Sequence, residues 1–306
     1  MKNISFLLIF VIVLSSCNLH LENSDRCQSG SIALYTIDHS QSPLSKSISV
    51  INVNNKEIID FKTNGIFQMT FAPQGDKIAF SEIYLDTNGI DLVLLDISTG
   101  QTSRFENKFD DYHPVWSPNG EEILYISGPE FSFELYNLDV KQMTYLPVSL
   151  PFSDDYKYIV PVDWKQDGVL FKGQSNSETN SSNDTLILFQ PNTNEWYAVY
   201  ESPSNISTAL FSPVEAVLLI EEGGDPKDSQ NPPNMFFYDW ENNKKISIPE
   251  IQGWSRFPDW SPDGKCIAYL YNDEIRIYSL ESKTSSKFYT FLDKGIVILD
   301  LKWGAN

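Results

Sequence analysis

Few residues in this sequence suit bond-making chemistry. There are three histidines, His20, His39 and His113, and three cysteines, Cys17, Cys27 and Cys266. No Gly-x-Ser-x-Gly elbow, His-Glu-x-x-His pair or Cys/His zinc spacing occurs. A peptidase is therefore not expected, and no zinc-binding pattern is legible. His113 stands before Pro114 and beside Asp110 and Asp111. There it could hold a metal or a ligand, or serve only as a polar loop residue. "DTNGID" (Asp86 to Asp91) begins like a calcium loop but lacks the downstream Glu, and its Asn88-Gly89 also suits a hairpin turn. "EEGGDPKDSQN" (Glu221 to Asn231) reads as a solvated acidic insertion, and "QSNSETNSSND" (Gln174 to Asp184) as a polar low-complexity loop. No cofactor and no metal are expected.

The 306 residues carry 22 Lys+Arg against 41 Asp+Glu, a formal charge of -19. Such a surface repels nucleic acid, which is excluded as a partner. Lys2 precedes an apolar run, Ile4 to Leu14, that is too short to span a bilayer comfortably. The run ends in "LSSC", and this segment resembles a bacterial lipobox with Cys17 as the lipidated residue. The resemblance implies an exported protein, membrane-anchored through its N-terminal lipid, with residues 1-16 as signal peptide and 17-28 as tether. Cys27 and Cys266 form either a disulfide, which export permits, or two idle thiols.

The rest of the chain is organised by a repeat. "RFPDWSPDGKCIAY" (Arg256 to Tyr269) echoes "YHPVWSPNGEEILY" (Tyr112 to Tyr125). In "SPDG" the Ser accepts a bond at the first turn position, Pro presets φ and Gly tolerates φ > 0, so apolar flanks on both sides make a hairpin. Weaker copies place the repeat aromatic at Phe71, Trp116, Trp164, Phe211, Trp260 and Trp303, with spacings of 45, 48, 47, 49 and 43 residues. A period in the forties is the length of a four-stranded propeller blade. Three strands at the N-terminus and one at the C-terminus complete the last blade. The fold class is thus all-β, a six-bladed β-propeller over 29-306, closed by its two terminal strands. Asp163, Asp259 and Asp300 fall on innermost strands but not at one common repeat position, which predicts an incomplete ring of carboxylates.

The motif "PDWSPDGKCIAY" resembles the WD-like repeat of TolB-type propellers, also found in prolyl-oligopeptidase-like peptidases. The resemblance implies a binding role in the cell envelope. Only Asn18 to Gln28 separates the lipid site from the first strand, which leaves no room here for the extra N-terminal domain of TolB. The expected function is a non-enzymatic, monomeric binding module for an envelope protein, peptide or glycan. The alternative is a propeller enzyme or sensor, lactonase-like or lyase-like, with a metal or small ligand in its channel. Strand alternation puts the long insertions on the same face as the loops that enter the innermost strands, opposite the tight turns. Functional loops on a rigid scaffold point to that face. Its candidate binding residues are Asp110, Asp111, Tyr112, His113, Asp154, Asp155, Tyr156, Tyr158, Trp254, Arg256 and Phe257. Aromatics beside charges are suited to recognition.

Anchoring can be checked directly. Cys17→Ala should leave a precursor that takes up no labelled fatty acid in growing cells, whereas continued labelling would contradict the lipobox reading.

Overall fold

The computed structural model describes residues 27, 29–84, 89–105, 109–128, 132–145, 156–166, 168–175, 183–225, 228–251, 253–291 and 295–305. Cys17, Asp154 and Asp155 lie outside the described residues. Among those described, the chain forms 24 strands in six four-stranded antiparallel sheets arranged as a six-bladed β-propeller.

Blade 1 holds β1 (Ile66–Phe71), β2 (Lys77–Tyr84), β3 (Gly89–Asp96) and β4 (Thr102–Phe105). Blade 2 holds β5 (Asp111–Trp116), β6 (Glu122–Ser127), β7 (Ser132–Asn137) and β8 (Gln142–Tyr145). Blade 3 holds β9 (Tyr156–Lys165), β10 (Gly168–Ser175), β11 (Asp184–Gln190) and β12 (Glu195–Glu201). Blade 4 holds β13 (Ile206–Phe211), β14 (Val217–Asp225), β15 (Asp228–Asp239) and β16 (Lys244–Ser247). Blade 5 holds β17 (Ser255–Trp260), β18 (Cys266–Tyr271), β19 (Glu274–Ser279) and β20 (Thr284–Thr290). Blade 6 combines the C-terminal β21 (Ile296–Gly304) as its innermost strand with the N-terminal β22 (Ser31–Asp38), β23 (Ser45–Asn52) and β24 (Ile58–Lys62).

Each innermost strand carries the repeat aromatic as its last or next-to-last residue, where an apolar ring fills the wedge between neighbouring blades. Trp116, Phe211, Trp260 and Trp303 are buried. Trp260 stacks on Phe237 of blade 4, with ring centroids 5.4 Å apart. The turn that follows uses the predicted chemistry. Ser261 Oγ accepts from Cys266 N–H at 2.9 Å and donates to Asp263 Oδ1 at 2.7 Å, and Gly264 N–H donates to Ser261 O at 2.8 Å. In blade 1 the turn glycine, Gly75, has φ 76, and a Cβ there would lie 1.9 Å from the Ala305 carbonyl. Glycine is therefore required where the closing strand passes.

Closure follows the expected plan. β21 pairs with β22 from Ser31↔Gly304 to Asp38↔Ile296, so the two chain ends share one sheet and leave no open edge between the first and last blades. Trp303 Nε1 donates to Ser29 O at 3.0 Å. Of the two alternatives for the cysteines, the structure shows the bridge: Cys27 and Cys266 are disulfide-bonded with Cα atoms 5.8 Å apart, joining the N-terminus to blade 5.

One element differs from expectation. The run from Glu221 is no solvated loop, since β14 and β15 continue as a paired ribbon out to Asp225↔Asp228. Glu221 and Glu222 are buried at its base. Their burial is possible because each carboxylate is hydrogen-bonded. Glu221 accepts from Thr208 and from Phe257 N–H, and Glu222 accepts from Tyr200, Ser202 and Lys245.

The bridge spans 239 residues of sequence. Replacing both cysteines, Cys27→Ser with Cys266→Ser, should lower unfolding free energy by about 2–4 kcal/mol. Urea titration measures this, and an unchanged midpoint would contradict a stabilising role.

Candidate functional site

The innermost strands surround the propeller axis, so equivalent positions on them form rings. The position four residues before the repeat aromatic lies near the loop face, where the chain enters these strands. It is occupied by Phe67, Tyr112, Val160, Ser207, Arg256 and Leu299. Phe67 is 59% exposed and Leu299 43%, while Tyr112 and Arg256 are half-buried. The Phe67 and Tyr112 rings meet edge-on at 6.0 Å. The Arg256 guanidinium lies 5.8 Å from the Trp254 ring and 6.0 Å from the Phe257 ring. Phe109, Tyr158 and Tyr271 are further exposed aromatics at this end of their blades.

The candidate residues divide by what they touch. Asp110 Oδ1 accepts from Ile90 N–H at 2.9 Å, and the fully buried Asp111 accepts from Leu92 N–H at 3.3 Å. These two carboxylates join blade 2 to blade 1. Tyr156 packs against Gly173, where a Cβ would come within 2.7 Å of its ring. Tyr158 is 38% exposed. His113 and Phe257 occupy the same repeat position, both with positive φ (54 and 53), within β-bulges of β5 and β17. Burial and the neighbouring Lys172 push the His113 imidazole down to about 4, so it is neutral at physiological pH. Lys172 also lies 3.8 Å from Asp184, whose Oδ2 accepts from Ile206 N–H and so links blade 3 to blade 4. Phe67 was missed from sequence. Its alignment with Tyr112 and Arg256 in the repeat was the available signal.

At the opposite end of the axis the channel widens into a cavity of about 300 Å³ that reaches the turn prolines Pro73, Pro213 and Pro262. Asp163, Asp259 and Lys302 line it at one shared position, directly before the repeat aromatic. Asp300 sits two residues earlier on β21 and lies 3.6 Å from Lys302 Nζ. The three aspartates thus converge on one lysine. Asp163 Oδ2 accepts from Phe211 N–H at 2.8 Å and Asp259 Oδ2 from Trp303 N–H at 2.7 Å, each on the next blade. Burial raises all three carboxyls, Asp259 up to about 7. Burial opposes charge on Lys302, but Asp300, Asp259 and Asp163 hold its ammonium above the ordinary value. Among the described residues, no three His, Cys, Asp or Glu side chains are grouped as metal ligands.

This architecture is that of a six-bladed β-propeller, and solved propellers match it. TolB from Acinetobacter baumannii superposes with a TM-score of 0.66 at 14% identity, over 90% of this chain and 67% of that one. A chain of a nidogen/laminin complex gives 0.64 at 10% identity, over 90% and 98%. The β-propeller domain of the trilobed protease from Pyrococcus furiosus gives 0.60 at 12% identity, over 87% and 96%. At these identities the likeness is one of fold. No protein-family model and no curated protein sequence matches the chain.

The channel carboxyls make stability depend on pH. Folded Asp259 holds its proton up to about pH 7, well above the ordinary carboxylate value of 3.8. The folded state therefore binds more protons than the unfolded chain between those values, so this group's stabilisation is full at low pH and is lost as pH rises to about 7. Between pH 5 and pH 8 the native chain should lose about 1–3 kcal/mol relative to Asp259→Asn. Parallel urea midpoints for the two proteins would contradict this.

Proposed function

We propose that the protein is a non-enzymatic binding module of the cell envelope, held to a membrane by lipid on Cys17, which receives a protein partner on its loop face. The observation that carries this reading is the partly exposed ring of Phe67, Tyr112, Arg256 and Leu299 around the axis, flanked by Tyr158 and Trp254. These side chains stand on paired strands, so they lose little freedom on docking, and Tyr, Trp and Arg dominate binding hot spots. Asp154 and Asp155 belong to the same proposed face.

The location of the N-terminus supports the orientation. Ser29 and Ser31 meet Trp303 and Gly304 at the tight-turn end. A tether leaving from there puts the loop face on the side away from the membrane. The Cys27–Cys266 bridge supports export, because such bonds persist in oxidising compartments. The repeat itself supports a TolB-like module, and the similar fold of a chain crystallised in a nidogen/laminin complex supports a role in protein binding.

Phe67→Ala combined with Tyr158→Ala should weaken capture of the partner by tenfold or more, about 1.4 kcal/mol, with the fold intact by circular dichroism. The control pair on the opposite face, Gln74→Ala with Asn119→Ala, should leave capture unchanged. Equal losses from both pairs, or a loss from the control alone, would place the site elsewhere.

A further inference from the structure

A cleft between blades 5 and 6, at the tight-turn end and away from the axis, encloses about 420 Å³. One wall is a face of blade 5, where Ile277 of β19 stands opposite Ser286 of β20 and beside Phe288. The other wall is the turn from β23 to β24, with Val53 and Lys56. Cys27 also lines the cleft, fixed there by its bridge to Cys266. The bridge determines where the preceding chain arrives. Arg26 is one Cα step, about 3.8 Å, from this lining residue. Residues 18–26 lie outside the described residues.

The charges of the two walls match the sequence that enters between them. The Lys56 ammonium lies over the Phe288 ring, 3.1 Å from its centre, and burial lowers its pKa with no carboxylate among the described residues to offset that. Lys287, the other lining cation, is paired with Glu274. Lys56 is therefore the cation left for an entering carboxylate. On the blade 5 side, Cys266 pairs with Ser279, and Glu281 stands two residues further on, in the turn to β20. The chain enters as Asp25-Arg26-Cys27. Successive side chains of an extended segment point to opposite sides, so Asp25 and Arg26 face different walls. Asp25 toward blade 6 and Arg26 toward blade 5 brings opposite charges together, whereas the reverse order would oppose like charges. We infer that the cleft seats the chain's own segment Glu22 to Arg26, with Asp25 on Lys56 and Arg26 on Glu281. Covalent continuity makes the segment's effective concentration high, so modest contacts suffice. Cys17 stands ten residues before Cys27, a reach of about 35 Å for a free extended tether. Seating Glu22 to Arg26 leaves a reach of about 17 Å from Cys17 to Glu22. With lipid on Cys17, as proposed above, the seat holds the propeller close to the membrane. The seat itself needs neither lipid nor partner, so either reading can fail without the other.

Zero-length carbodiimide crosslinking of the full chain in detergent micelles, mapped by mass spectrometry, tests the seat, because it joins a carboxylate to an amine only where the two touch. The main product from position 25 should be an amide to Lys56. It should exceed the links to Lys283 and Lys287 by roughly tenfold, since a seated segment meets one amine and a free one spreads over all within its reach. Reversing both charges, Asp25→Lys with Lys56→Asp, should keep the link between the same two positions. Comparable yields to the three lysines would overturn the inference, as would the absence of a link between positions 25 and 56, or its loss on charge reversal in a chain that keeps its circular dichroism. A mixture of isotope-labelled and unlabelled chains identifies which copy supplies the segment. Links within one chain are expected, and links mainly between chains would assign the cleft to another copy's segment and also overturn the inference.

Discussion

The ring depends on carboxylates that reach from one blade to the main chain of its neighbour. A propeller blade has no backbone hydrogen bonds to the next blade through its sheet, so packing alone would allow blades to slide and splay. Asp163 to Phe211 N–H and Asp259 to Trp303 N–H lock adjacent innermost strands at the tight-turn end. Near the loop face Asp110, Asp111, Asp184 and Glu221 likewise join neighbouring blades, each between an innermost strand or its entry and a second or third strand of the adjacent blade. Each of these bonds runs from a main-chain N–H to a carboxyl oxygen in a fixed direction, so these contacts set register as well as energy. Placing several acids around one axis costs electrostatic energy, and Lys302 offsets part of that cost from the repeat position that holds Asp163 and Asp259 in two other blades.

Closure is the second constraint. The last blade is assembled from both ends of the chain, and the hydrogen-bonded β21–β22 pair is reinforced by Trp303 and by the bridge from Cys27 to blade 5. Held in this way, the innermost strands carry the described rim residues at fixed places around the axis. The aromatic side chains of the loop face are presented by strands whose bulges turn His113 and Phe257 into left-handed backbone conformations. The two ends of the channel consequently differ in character, with half-exposed rings at one and enclosed charge at the other.

Much of this was legible in the sequence, and the reasons are local. The Ser-Pro-Asp-Gly turn, the buried aromatic before it and the alternating apolar strands are short-range signals that recur, so blade number and the terminal closure could be read from spacing alone. The fate of the acids could not. Asp163, Asp259 and Lys302 share a repeat position, but Thr70, Val115 and Leu210 fill it in the other blades, so the carboxylates form no full ring, and what spacing did not show is the lysine among them. Glu221 and Glu222 look like part of a solvated insertion until Thr208, Tyr200 and Lys245 are brought beside them by strands that pair only in the folded chain. Phe67 escaped notice because its local neighbours, Ile66 and Gln68, carry no charge or ring, and only alignment with Tyr112 reveals its place on the rim.

The account turns on which end of the axis meets the partner. Photo-crosslinking on intact cells addresses this most directly, with a benzophenone side chain placed either at position 67, on the rim of the loop face, or at position 119, in a tight turn of the opposite face. The account predicts a discrete crosslinked species from position 67 and none of the same mass from position 119. A discrete species from position 119 with none from position 67 would contradict it.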